Sequence, residues 1–151
     1  MSKTIRPYGS WPSPIPIDIL VTGRVGLQDC RFDLAGDGAI TWLESRPGDK
    51  GRQTLVRWTP DGETRDISPP GMNVRDRVHE YGGAPYLVDG ELVIVSDFAT
   101  GRLHRVQRDR ASEPFTPKGP FRYADYELDR RRNRILDAWA DLLDVHLKEP
   151  A

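Results

Sequence analysis

The stretch PYLVDGELVIVSDFATGRLHRVQRDRASEPFT, residues 85–116, decides the fold. Four short extended segments follow one another within it, at residues 85–88, 91–96, 102–107 and 113–116. The first two meet at Asp89-Gly90, a dipeptide suited to a two-residue hairpin because such turns need positive φ. The same plan stands upstream. Residues 38–44 (GAITWLE), 53–58 (QTLVRW) and 64–67 read as short strands, the last two joined through Thr59-Pro60-Asp61-Gly62. Asp37-Gly38 answers Asp89-Gly90, and Ile67-Ser68-Pro69 answers Phe115-Thr116-Pro117. A third copy opens at residues 123–128 and 134–136. Four short strands per repeat of about 40 to 50 residues is the signature of a propeller blade. The expected fold is therefore all-β: a partial β-propeller of about two four-stranded blades plus the start of a third, too few to close a ring.

Immediately before the second repeat, Val-His-Glu-Tyr-Gly-Gly-Ala sets a polar trio, His79, Glu80 and Tyr81, ahead of a glycine pair. The innermost strand comes first in a propeller blade, which places this trio at the rim of the central channel. Two readings stand. In one, His79 and Glu80 hydrogen-bond backbone at the crossover between blades and Tyr81 packs between them. In the other, all three face a peptide or a partner domain. Arg75 and Arg77 lie in the same crossover, either as a solvated loop or as bidentate partners for a peptide carboxylate.

A family resemblance rests on several motifs in order: Tyr8-Gly9-Ser10-Trp11-Pro12-Ser13-Pro14-Ile15, Trp42-Leu43-Glu44-Ser45-Arg46-Pro47, Asn73-Val74-Arg75, Val78-His79-Glu80-Tyr81-Gly82-Gly83 and Arg122-Tyr123-Ala124-Asp125. Together they resemble the amino-terminal propeller of prolyl oligopeptidase family serine peptidases, nearest the bacterial acylaminoacyl peptidase and dipeptidyl aminopeptidase branch. The resemblance covers roughly residues 6–136. It implies a full propeller acting as a gated filter over a carboxy-terminal α/β-hydrolase domain, which cleaves short or blocked peptides with a Ser, Asp, His triad. The early segment with Trp11 runs close to that domain in the family. After Leu136 the sequence departs from the family pattern. Residues 137–148 (DAWADLLDVHLK) have apolar members near helical spacing, so a short amphipathic helix or a disordered tail is expected. Either the reading frame is interrupted there, or the tail covers an open sheet edge. The expected organisation is thus an extended segment over residues 1–28, a partial propeller over 29–136 and a divergent tail over 137–151.

The chemistry motifs are absent. No GxSxG, GxGxxG, Walker loop or HExxH occurs, so no catalytic residue, cofactor or metal is expected and the chain alone should be inert. His104 alternates in a strand and should face solvent or a neighbouring blade, while His146 lies in the tail. Cys30, the single cysteine, reads as a strand-edge packing residue; it has neither a disulfide partner nor zinc companions. The basic run Arg130-Arg131-Arg132 with Arg134 reads as a solvated turn. With 151 residues and a formal net charge of −1, the chain has the length for a sizeable core and no general attraction to nucleic acid or anionic membrane. No stretch is long enough to span a bilayer and the start has no apolar signal-peptide core, so a cytoplasmic location is expected. The expected partners are a peptide or the missing hydrolase domain, with self-association through open blade edges as the alternative mode of action.

Overall fold

The computed structural model describes residues 5–78, 82–107, 110–136 and 145–146. Strands β1 (Gly26–Phe32), β2 (Ile40–Arg46), β3 (Arg52–Trp58) and β4 (Thr64–Asp66) form one antiparallel sheet in the order β1-β2-β3-β4. Strands β5 (Tyr86–Asp89), β6 (Leu92–Ser96), β7 (Leu103–Gln107) and β8 (Arg110–Pro114) form a second in the order β5-β6-β7-β8. Both follow the up-and-down meander of a propeller blade, and we call them blades 1 and 2. A third sheet holds β9 (Glu127–Asp129), β10 (Arg134–Leu136) and β11 (Val145–His146) in the order β11-β10-β9.

Burial shows how the sheets stack. In β5 and β6 neighbouring residues go to opposite faces, and both faces are covered. Tyr86, Val93 and Val95 join Leu43, Leu55 and Val74 in a core shared with blade 1. Leu87 and Ile94 join Leu103, Tyr123, Tyr126 and Ile135 in a second core toward the third sheet. Blade 2 is thus sandwiched, which is why its second strand is apolar at four consecutive positions. Blade 1 is covered on the face toward blade 2 and only in part on the other, where Thr54 and Val56 of β3 are buried. Thr41 and Leu43 in β2 are buried, but Ile40, Trp42 and Glu44 between them are only half-buried. Cross-strand partners share a face, so Leu27 opposite Glu44 and Phe32 opposite Ile40 lie on the open, β1 end of that second side. They are 68% and 67% exposed.

The hairpin tips are tied from blade to blade. Asp33, fully buried, accepts hydrogen bonds from the Gly36 N–H at 3.0 Å and the Gly90 N–H at 2.9 Å. Arg57 reaches the same carboxylate at 3.3 Å and Asp37 at 2.6 Å. A Cβ on Gly36 would come within 2.4 Å of Asp33 Oδ2 and 3.1 Å of Gly90 Cα, so the two turns touch through backbone that only glycine permits. One blade further on, Asp89 in the next tip pairs with Arg130.

Several expectations are corrected. Strand β1 was not among the expected strands. Its polar run Gln28-Asp29-Cys30-Arg31 lacks alternation because a bulge shifts the register between Gln28 and Arg31, with Asp29 at φ 48°. Residues 17–22, within the segment expected to be extended, form helix α1 (Ile17–Thr22), entered from Pro16 and ended at Gly23. The fourth strand of blade 2 runs over Arg110–Pro114 and not 113–116, following an irregular register against β7. Tyr123, Ala124 and Tyr126 are buried without being strand, and only Glu127–Asp129 of the expected 123–128 pairs. In the tail, Val145 and His146 are strand and not helix: they pair with Ile135 and Arg134 on the free edge of β10. The remainder of the helical reading, residues 137–144 and 147–148, lies outside the described residues.

Candidate functional site

The crossover from β4 to β5 builds the site. Its middle is stitched to both blades. Val74 N–H donates to the Gln53 carbonyl at 2.9 Å, Arg75 N–H to the Ser96 carbonyl at 3.2 Å, and Phe98 N–H to the Asn73 carbonyl at 3.0 Å. This extended backbone gives residues 74–78 a strict alternation: Val74, Asp76 and Val78 are buried, whereas Arg75 and Arg77 are exposed. Two arginines two residues apart therefore share one side. Both guanidinium groups lie over the ring of Phe98, Arg77 at 4.1 Å and Arg75 at 5.3 Å from its centroid. Each such contact is worth about 0.5–1 kcal/mol at an exposed site.

Asp76 shapes the adjoining loop. Its carboxylate accepts the Val78 N–H at 2.9 Å and the Gly83 N–H at 3.0 and 3.1 Å, and Gly82 N–H closes onto the Val78 carbonyl at 2.9 Å. Burial, the largest influence, pushes the Asp76 carboxyl above its ordinary value; the two N–H groups pull it down and nearby Asp125 adds to the rise. Asp125 clamps the other end, accepting the Ala84 N–H at 2.8 Å while its own N–H donates to the Ala84 carbonyl at 3.0 Å. A Cβ on Gly83 would lie 2.3 Å from Asp125 Oδ2, which explains the second glycine of the pair, and Gly82 sits at φ 83°.

Between this crossover and blade 1 lies a cavity of ≈ 550 Å³, with Gln28, Ser45, Gln53, Arg75 and Asp76 in its lining and backbone of residues 82–85 along one wall. Gln53 Nε2 donates to Gln28 Oε1 at 3.0 Å. Asp29, also in the lining, is paired with Arg31 at 3.1 Å, and the Arg31 guanidinium lies 5.0 Å from the Tyr86 ring centroid. Tyr86 donates its hydroxyl to the Asp29 carbonyl, and burial pushes its pKa up to about 12. The wall is therefore polar and already organised.

Of the residues singled out from the sequence, the structure brings Arg75 and Arg77 together on one ring. His79, Glu80 and Tyr81 lie outside the described residues; on either side of them Asp76 accepts the Val78 and Gly83 N–H groups, and Gly82 N–H donates to the Val78 carbonyl. Asp76 and Phe98 were not singled out, and Asp125 entered only as the last residue of the Arg122-Tyr123-Ala124-Asp125 motif. The Val-Arg-Asp-Arg-Val alternation at residues 74–78 carried the signal for the first, but nothing local marks Phe98 as the arginines' platform. His104 is half-buried on the blade 1 side of β7, since it pairs with Val95; its Nδ1 is 3.4 Å from Ser112 Oγ, and burial lowers its pKa. Cys30 lies on an edge strand and is exposed, so it does not pack. Arg130, Arg132 and Arg134 sit around a turn, with Asp89 and Asp129 as partners. Among the described residues no cluster of three His, Cys, Asp or Glu side chains could hold a metal ion, and no helix is long and apolar enough to cross a membrane.

No family model and no curated protein matches the chain. Solved structures do. A puromycin-hydrolyzing peptidase of Mycobacterium tuberculosis superposes with a TM-score of 0.72 and 33% identity, over 89% of this chain and 21% of that one. The chain resembles the propeller part of prolyl oligopeptidase family peptidases. A crystal structure of puromycin hydrolase matches this propeller chain with a TM-score of 0.70 and 30% identity, over 88% of it and 22% of the hydrolase. A puromycin hydrolase mutant complexed with PGG matches with a TM-score of 0.68 and 34% identity, over 86% and 21%. The propeller chain spans about a fifth of the length of these peptidases.

Proposed function

We propose that the chain is the substrate-gating propeller portion of a prolyl oligopeptidase family serine peptidase, acting in the cytoplasm on short or blocked peptides of the acylaminoacyl or dipeptidyl type. The observation that carries this reading is the match of 89% of the chain, at 33% identity, to about a fifth of a puromycin-hydrolyzing peptidase. The crossover supplies the working surface: Arg75 and Arg77 face outward from it, and His79, Glu80 and Tyr81 follow them in the sequence. In this reading the chain guides peptide and the hydrolase domain cuts it. The chain alone has no GxSxG serine and supplies neither nucleophile nor oxyanion hole.

Two measurements test this. Purified chain should not cleave chromogenic acyl-amino-acid or dipeptide amides above buffer; turnover that tracks the protein peak through repurification contradicts it. Translation of the nucleotides beyond the Leu136 codon in all frames should continue the blade pattern and reach a GxSxG serine; absence of both contradicts the peptidase origin.

A second reading has its own support. Leu27 and Phe32 on the open, β1 end of the outer face of blade 1 suit an interaction module that self-associates through open blades.

A further inference from the structure

The arginine pair on Phe98 and the cavity beside it are two observations that share a residue, because Arg75 belongs to both. The geometry points to a carboxylate-recognition site: Arg75 and Arg77, held on Phe98, take the free α-carboxylate of a short peptide whose amide-bearing body occupies the adjoining cavity. This deepens, and rests on, the reading of the chain as the propeller portion of a peptidase.

The charge is there to be matched. Two guanidinium groups converge on one ring, and among the described residues none of the ion pairs includes either of them. Among the described residues, the neighbouring acids Asp76 and Asp97 are buried and engaged. Asp76 accepts the N–H groups of Val78 and Gly83, and Asp97 accepts those of Ala99 and Thr100 together with the Thr100 hydroxyl. An aromatic face beneath a planar guanidinium restricts its rotation while leaving its donors free, so less freedom is lost when a carboxylate binds in the two-pronged manner arginine favours.

The cavity selects the body to which that carboxylate is attached. Its ≈ 550 Å³ falls within the range of about 300–1,000 Å³ common for small-molecule sites. Gln28, Ser45 and Gln53 offer uncharged donors and acceptors suited to peptide amides, and Gly82 and Gly83 leave one wall without side chains. Two carboxylates also line it: Asp29, which is paired with Arg31, and Asp76, which accepts the Val78 and Gly83 N–H groups. A ligand anionic at one end and amide-rich along its body fits both parts; an acidic side chain of a protein partner would use the arginines and leave the cavity idle.

The test is a titration of the full, isotope-labelled chain, reading the arginine Nε–Hε and backbone resonances. Three probes are compared: N-acetyl-dialanine with a free carboxylate, its carboxamide, and N-acetyl-aspartyl-alaninamide. The free acid should shift Arg75 and Arg77 and the residues 82–85 saturably, and the carboxamide should bind about tenfold more weakly or worse. Arg75→Gln and Arg77→Gln should each weaken the acid without changing the carboxamide. Phe98→Leu should weaken it too although both charges remain. Unchanged dispersion of the core resonances checks that each variant is folded. Equal binding of acid and carboxamide overturns the proposal, as does binding indifferent to both arginine variants, or no shift with any probe. An aspartyl peptide as effective as the free acid overturns it in favour of an acidic partner surface. None of these failures touches the propeller reading, which the downstream coding sequence decides separately.

Discussion

Carboxylates do much of the organising in this chain, and each makes a distinct demand on the solvent. Asp33 is fully buried between two backbone amides and Arg57, so its removal leaves two amides without their acceptor and the buried Arg57 with Asp37 alone. Asp33→Ala should cost about 3–5 kcal/mol in urea unfolding, the scale of breaking a buried pair from one side, and clearly more than Asp61→Ala at the exposed β3–β4 turn. Gly83→Ala drives a methyl onto Asp125 and should cost about 1–3 kcal/mol by the same assay. Acid acts on two populations with opposite signs. Asp66 is lowered, first by its hydrogen bond from Arg46, so its contribution is present above its unfolded value and is lost as pH falls through the folded one. Asp76 is raised, so its contribution is full below its unfolded value and fades as pH rises through the folded one. Melting midpoints at about pH 7 and pH 3 should therefore differ less in Asp66→Asn than in the parent chain, because the variant leaves Arg46 only Glu44 as an ionised partner to lose. An equal or larger acid loss in the variant removes Asp66 from the account.

Among the elements, legibility in the sequence follows from how evenly a strand is covered. Strands β5 and β6 are readable because Leu92–Val95 is apolar on both sides and Asp89-Gly90 marks the turn. Strand β1 is unreadable for the converse reason: a bulge at Asp29 breaks its period, and its outer face, with Leu27 and Phe32, meets nothing in the described residues that would demand regular alternation. Tyr123 and Tyr126 show a third case. They are as deeply buried as any strand residue, yet the segment bearing them packs as irregular chain, and aromatic burial alone does not distinguish the two. The candidate site was half legible. The alternation at residues 74–78 places Arg75 and Arg77 on one side, but Phe98 comes from the β6–β7 turn and meets them only because Val74 bridges to Asp97. The covered and uncovered faces also differ in consequence. Ile94→Ala, in the sandwiched blade, should cost about 2–5 kcal/mol. Leu27→Ala, on the open face, should change the unfolding free energy by less than about 0.5 kcal/mol. Both are measured on dilute chain, below the concentration at which it associates, and a large loss at Leu27 there would mean that this face is covered within the monomer.

At the scale of the whole molecule, two and a fraction blades stack through two cores, and the outer face of blade 1 is left with Leu27 and Phe32 exposed beside Trp42. Surfaces of this kind draw in a partner. Light scattering over a concentration series should show a dimer or larger species growing with concentration, and Leu27→Lys with Phe32→Lys should shift the population toward monomer without lowering the melting midpoint. A parent chain that stays monomeric throughout shows the stack to be self-sufficient. The ties between hairpin tips bear on how such a stack is made. The amide that completes the hydrogen bonding of Asp33 belongs to Gly90, 57 residues later. On a ribosome, the first blade therefore emerges with a carboxylate still waiting for its donor, and stays provisional until the second hairpin leaves the exit tunnel. Each blade then becomes the template on which its successor's tip is registered, so the stack is laid down in order of synthesis, one tip at a time.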